Sequence, residues 1–150
     1  MARAPTPTRR VLLSTVALGA AALAGCVSSA SPERPGAKTP EYDGWLSNTP
    51  NYDGVVDRTG RSTVTVAVGG ESGMVFAPPA IRVDVGTTVR WEWTGGGSAH
   101  NVEAEDGSFE SRTTSAAGAT FERTFEDSGM VKYLCVPHEY AGMKGVLEVT

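Results

Sequence analysis

Histidine and cysteine are the scarce residues of this chain, with two of each among 150. Basic excess is also missing: 13 Lys and Arg stand against 17 Asp and Glu. A nucleic-acid-binding surface needs a basic footprint, so that class of partner is excluded. No apolar run reaches the roughly 20 residues that a membrane-spanning helix requires. The triple glycine Gly95-Gly96-Gly97 is not followed by Gly-Lys-Ser/Thr or by a helical pattern, which removes a phosphate-binding loop. A 3.6-residue apolar stripe is absent too, so the fold is not built from amphipathic helices.

What is present divides the chain into three parts. Thr8-Arg9-Arg10 stands directly before an apolar run from Val11 to Ala24, the layout of an export signal with paired arginines of the Tat type. Leu23-Ala24-Gly25-Cys26 resembles a lipobox, in which cleavage precedes a cysteine that becomes lipid-modified. Residues 1–25 are therefore expected to be a signal peptide, with Cys26 as the lipidation site. Without the three leader arginines, ten basic residues face 17 acidic ones, a net charge of −7. Residues 26–40 hold Pro32, Pro35 and Pro40 and almost no apolar bulk, and read as a lipidated N-terminus followed by a flexible linker. As a coil, such a tether spans roughly 20 Å. Residues 41–150 are left for one domain.

That domain opens with Tyr-Asp-Gly twice, at 42–44 and 52–54, and Asp-Gly marks turns. Trp45, Leu46, Val55 and Val56 are the apolar residues expected to pin the segment. From Ser62 onward the pattern has period two. Val64, Val66 and Val68 alternate with Thr63, Thr65 and Ala67. The same alternation carries Ile81, Val83 and Val85, then Val89, Trp91 and Trp93, then Val131, Tyr133 and Cys135, then Gly145, Leu147 and Val149. Short strands separated by Gly and Pro punctuation predict an all-β sandwich. The acidic run Glu103, Glu105, Asp106 and Glu110 reads as a solvated face.

Chemistry concentrates in one stretch. Cys135, His138 and Met143 follow Cys-x2-His-x4-Met spacing, and the other imidazole, His100, stands upstream. Taken singly, each has a bland explanation: a satisfied histidine, a small buried thiol, a gap-filling methionine. Together they use both histidines and every cysteine apart from Cys26. Two imidazoles and a thiolate with a weak axial thioether form a blue-copper site, whereas structural zinc prefers a closed set of Cys and His. The thioether therefore favours copper, one ion cycling between Cu(I) and Cu(II). A Cys26–Cys135 disulfide would consume the thiolate. The strand phase turns Cys135 inward, with the loop 136–143 closing over the ion and His138 nearest the surface.

At these residues the chain resembles the cupredoxins, in particular the plastocyanin-like halocyanins of halophilic archaea. The resemblance covers roughly residues 41–150 and rests on Cys135-x2-His138-x4-Met143, on His100-Asn101 and on the approach from Phe76 to Trp91. It extends to the Tyr42-Asp-Gly-Trp and Asn51-Tyr-Asp-Gly lead-in. It implies a cupredoxin-like Greek-key β-sandwich of about seven to eight strands. It also implies His100, Cys135 and His138 as equatorial ligands and Met143 as the axial one. Asn101 and Pro137 would support them, Asn101 by positioning the thiolate. The implied function is a one-electron shuttle, not an enzyme, anchored through Cys26 to the outer face of the cytoplasmic membrane. Its donors and acceptors would be redox proteins of a membrane respiratory chain. A copper oxidase would need a second centre with further histidines. A storage or delivery module is the alternative, but it typically offers exposed Met-rich or Cys-x-x-Cys ligands, and neither occurs.

Overall fold

The computed structural model describes residues 41–150; the leader, Cys26 and the linker lie outside the described residues. Among the described residues nine short strands form two sheets, the sandwich that the alternation predicts, where the resemblance implies about seven to eight strands. They are β1 Val56–Asp57, β2 Thr63–Val68, β3 Phe76–Ala77, β4 Ala80–Val83, β5 Thr88–Trp93, β6 Glu103–Ala104, β7 Thr120–Thr124, β8 Gly129–Leu134 and β9 Lys144–Val149. One sheet has the order β1-β4-β9-β8-β6 and the other β3-β2-β5-β7. No helix among the described residues is long and apolar enough to cross a membrane.

Successive side chains on a strand point to opposite faces, so one phase of each strand fills the space between the sheets. β2 and β5 run parallel with Val64 beside Val89, Val66 beside Trp91 and Val68 beside Trp93, and all six side chains are buried. The facing sheet contributes Ile81 and Val83 from β4, Tyr133 from β8, and Leu147 and Val149 from β9. Trp91 occupies the middle. Its ring lies 5.4 Å from Tyr133 in an edge-on arrangement, and 5.7 Å from both Phe109 and Phe121. Aromatic pairs in such tilted geometries add about 0.5–1.5 kcal/mol each beyond the area they bury. The Trp91 indole nitrogen faces the Tyr133 phenol closely enough to influence it, yet neither polar atom completes a hydrogen bond.

Val85 departs from the expected alternation. It is 44% exposed, because β4 ends at Val83 and the chain turns at once, with the Thr87 N–H donating to the Asp84 carbonyl. The acidic run lies as expected: Glu105, Asp106 and Glu110 are exposed.

The lead-in segment packs on the other face of the first sheet. Tyr42 and Leu46 form a second small core with Ala80 and Val146, joined by Trp45, Tyr52 and Val55. Val56 sits instead at the margin of the main core. Covering both faces of β4 and β9 accounts for the near-continuous burial of Val146, Leu147 and Val149.

Four strand ends converge at one end of the sandwich. β8 ends at Leu134, and β9 begins at Lys144 directly opposite it. β2 and β5, in register and parallel, end together at Val68 and Trp93. One cross-strand pair near this end is tightly specified: Tyr133 opposes Gly145, and a Cβ on Gly145 would overlap the Tyr133 phenol ring. Gly145→Ala is accordingly expected to destabilise the domain by about 1–3 kcal/mol through overpacking. Urea denaturation of the metal-free protein measures this, and an unchanged midpoint would show that the ring moves aside freely.

Candidate metal centre

Cys135 follows the last residue of β8 and is fully buried. The next six residues, Val136–Ala141, form a 3₁₀ turn where the sequence pattern shows only a loop. Pro137 lies in the first positions of that turn, where its fixed φ and missing N–H cost nothing. Pro137 itself is exposed, so its part is conformational. Gly142 ends the turn in the left-handed conformation, with φ 86°, and returns the chain into β9 through the buried Met143.

Backbone hydrogen bonds close this corner on itself. The Cys135 N–H donates to the Met143 carbonyl at 3.0 Å, the Met143 N–H to the His138 carbonyl at 3.2 Å, and the His138 N–H to the Cys135 carbonyl at 3.0 Å. Each of the three residues is thus both donor and acceptor within one ring. The corner is defined without any contribution from the side chains it carries.

His100 arrives from the other sheet, beyond the Gly95–Gly97 loop. Its backbone exchanges two hydrogen bonds with Thr114, at 2.9 and 3.0 Å, and its carbonyl accepts the Trp93 indole N–H at 3.1 Å. Strand alternation by itself gives Trp93 a core role. A buried indole N–H needs an acceptor, and that requirement was the signal available. Asn101 then ties this segment to the corner. Its side-chain oxygen accepts the Val136 N–H at 2.8 Å, and its backbone N–H faces the Cys135 sulfur closely enough to favour the thiolate.

These constraints bring three donors together. The His100 and His138 Nδ1 atoms stand 3.1 Å apart, and the Cys135 sulfur lies 3.7 Å from the first and 3.5 Å from the second. A circle through atoms at those separations has a radius of about 2.0 Å, the length of a first-row metal bond to imidazole nitrogen. The donors are therefore spaced to hold one ion between them. Among the described residues, no carboxylate joins this group. Met143, fully buried, shares the main core with Cys135 and carries a thioether. Thiolate, imidazole and thioether are the donors that suit copper.

Burial shapes the protonation of the metal-free site. It pushes the Cys135 thiol up, with the Asn101 and His138 N–H groups opposing it. Burial and the neighbouring His138 hold His100 below its ordinary value. The Gly73 backbone pulls His100 the other way, although its Nε2 makes no hydrogen bond. Both shifts favour the uncharged forms, thiol at Cys135 and neutral imidazole at His100.

A β-sandwich that gathers two imidazoles and a cysteine at one end defines a cupredoxin. The family of copper-binding proteins described as plastocyanin/azurin matches residues 62–150. A halocyanin of Natronomonas pharaonis is 46% identical over 156 residues, covering 94% of this chain and 96% of that protein. A plastocyanin of Scenedesmus fuscus is 32% identical over 97 residues, covering 57% of this chain and 98% of that protein. Among solved structures, a mutant fern plastocyanin aligns with a TM-score of 0.52 at 25% identity, over 58% of this chain and all of that one. The chain belongs to the plastocyanin/azurin family of copper-binding proteins, as a halocyanin-like cupredoxin whose cofactor is one copper ion.

The pKa directions give a stability profile with two edges. Below the ordinary histidine value of 6.5, the unfolded chain takes up a proton that His100 in the fold resists, so metal-free stability falls as pH drops. Above the ordinary thiol value of 9.0, the unfolded chain loses a proton that buried Cys135 retains, so stability falls as pH rises. Copper loading, which takes neutral imidazole and thiolate, is expected to remove the alkaline edge, to steepen the acid one and to release about one proton per ion at neutral pH. Denaturation midpoints across pH, with and without copper, together with pH-stat titration, test this; identical profiles would refute it.

Proposed function

We propose that His100, Cys135 and His138 are the equatorial ligands and Met143 the axial ligand of a type 1 blue-copper centre. We propose further that the chain carries single electrons between redox proteins of a membrane respiratory chain. The observation that carries the ligand reading is the His100–Cys135–His138 triangle, whose dimensions fit one ion. A copper ion held there supplies a one-electron Cu(I)/Cu(II) couple. The residues supply a site that changes little between the two states, because the corner is fixed by backbone hydrogen bonds and His100 by Thr114 and Trp93.

His138 is the route for the electron. Of the three converging donors it alone is partly exposed, while His100 and Cys135 are 1% and 0% accessible. Around it the turn presents Val136, Pro137 and Tyr140 to solvent. A partner docking on this apolar rim would meet the imidazole edge without opening the thiolate to water.

Export and anchoring follow from the N-terminal motifs. Residues 1–25 act as a Tat-type signal, Cys26 carries the lipid, and residues 26–40 tether the domain at the outer face of the cytoplasmic membrane. What supports this is the Arg9-Arg10 pair, the apolar run and the lipobox-like Leu23-Ala24-Gly25-Cys26.

Cu(II) titration with visible absorption and EPR tests the centre. One copper per chain is expected to give an intense thiolate-to-copper band that bleaches on reduction and returns on oxidation. Cys135→Ser is expected to abolish that band, and Met143→Leu to retain copper with a shifted reduction potential. A Cys135→Ser protein that stays coloured would sink the ligand assignment. Cys26→Ala is expected to move the protein from the membrane fraction to the soluble one, and persistent membrane association would remove the anchor.

A further inference from the structure

We infer that residues 42–52 are a positioning strap for the Gly142–Met143 corner, fixing where the Met143 thioether stands relative to His100, Cys135 and His138. The inference rests on the ligand reading above and goes beyond it, because none of these residues is among the donors. They also precede residues 62–150, the span that matches the plastocyanin/azurin family. The sandwich shared with that family is therefore supplemented here by a segment that packs against its ligand corner.

The strap grips the corner on both sides of Met143. On one side, Gly142 is buried so closely against the strap that a Cβ there would run into the Asn48 carbonyl oxygen, with the Thr49 Cα 3.3 Å away. On the other side, the Trp45 indole N–H donates to the Gly145 carbonyl at 3.1 Å. The hydrogen bonds that end the 3₁₀ turn, from Gly142 to Glu139 and from Met143 to His138, are internal to the turn. They set its shape and leave its position against the sheet to other contacts. Asn48, Thr49 and Trp45 supply those contacts.

The strap itself is firmly held. Successive turns bond Trp45 to Tyr42, Ser47 to Gly44, Thr49 to Leu46 and Tyr52 to Thr49. Leu46 and Thr49 are fully buried, and Leu46 packs with Ala80 and Val146. The Tyr42 hydroxyl donates to Glu148 at 2.7 Å, and the Asn51 amide to the Phe76 carbonyl at 2.8 Å. Tyr42 and Asp43 both adopt left-handed backbone, with φ 59° and 54°, a conformation that L-residues avoid unless their surroundings enforce it. A segment merely covering a sheet face would need neither the left-handed pair nor the close approach to Gly142.

The test uses the full-length chain with two strap variants, Leu46→Ala and the milder Trp45→Phe. Val149→Ala serves as a control, since Val149 is equally buried but lies at the far end of β9. Amide hydrogen exchange is read on the metal-free protein, and the visible and EPR spectra and reduction potential on the copper-loaded protein. Leu46→Ala is expected to speed exchange at Gly142 and Met143 by about tenfold relative to the strand amides, through local opening. It is also expected to shift the potential and alter the EPR parameters, with Trp45→Phe moving the same readouts less. Val149→Ala should lower stability without moving any of them. The strap is overturned if both strap variants only lose stability, as the control does, with corner exchange, spectrum and potential unchanged. Should Leu46→Ala not fold, Trp45→Phe decides by the same readouts. A wild-type protein without a thiolate band would defeat the ligand reading alone, because exchange in the metal-free chain still judges the strap.

Discussion

Two imidazole nitrogens and a sulfur held within 3.7 Å of one another are the constraint around which the rest of this structure is arranged. Such atoms do not gather unaided: each carries a lone pair or a single proton, and burial removes the water that would otherwise satisfy them. The chain meets this cost with bonds made elsewhere. Cys135, His138 and Met143 are fixed by a ring of their own backbone hydrogen bonds, and His100 by Thr114 and the Trp93 indole. The Asn101 amide joins the two halves through Val136. None of these bonds uses a donor nitrogen or the sulfur as its anchor except the Asn101 and His138 N–H groups, which approach the Cys135 sulfur.

This arrangement explains why the site sits where strands end. In the middle of a sheet, backbone groups are consumed by the ladder, and side chains from one sheet meet those of the other across a filled core. At the end of β5 and β8 the ladder stops, and the freed backbone groups make the corner and its link to His100. The core beneath, built on Trp91 and Tyr133, gives that end a rigid floor. The lead-in segment adds a wall on the outer side, against Gly142 and Gly145.

What could be read from the sequence followed the range of each signal. Strand phase is local, so the inner residues of β2, β5, β8 and β9 were legible. The short spacing from Cys135 to Met143 let the donors be named before any geometry was known. Val85 misled because alternation continues past the point where the ladder ends, and periodicity does not mark that end. The 3₁₀ turn at Val136–Ala141 is too short to show a period of its own. The contacts that place the site were not legible at all: the Trp93 bond to His100, the Asn101 bond to Val136 and the approach of Asn48 to Gly142. Each joins its residues through single atoms, two of the three across long stretches of sequence, and composition and spacing carry no trace of such pairings.

The unequal burial of the two imidazoles has an energetic consequence. With the proposed ligands, the thiolate cancels the charge of the reduced ion and leaves one net positive charge on the oxidised centre. A charge in a water-excluded site is disfavoured in proportion to how completely it is desolvated. Full burial of Cys135 and His100 therefore favours the reduced state, and the half-buried His138 is where solvent relieves part of that preference. The domain's acidic surface acts in the opposite direction, but its exposed carboxylates are screened by water and salt. Two partly exposed carboxylates are better placed: Glu103, whose oxygen lies 3.4 Å from the Asn101 amide nitrogen, and Glu139, next to His138 in the turn. The balance between the desolvated interior and those carboxylates, more than the overall net charge, is what the fold has available to tune the centre.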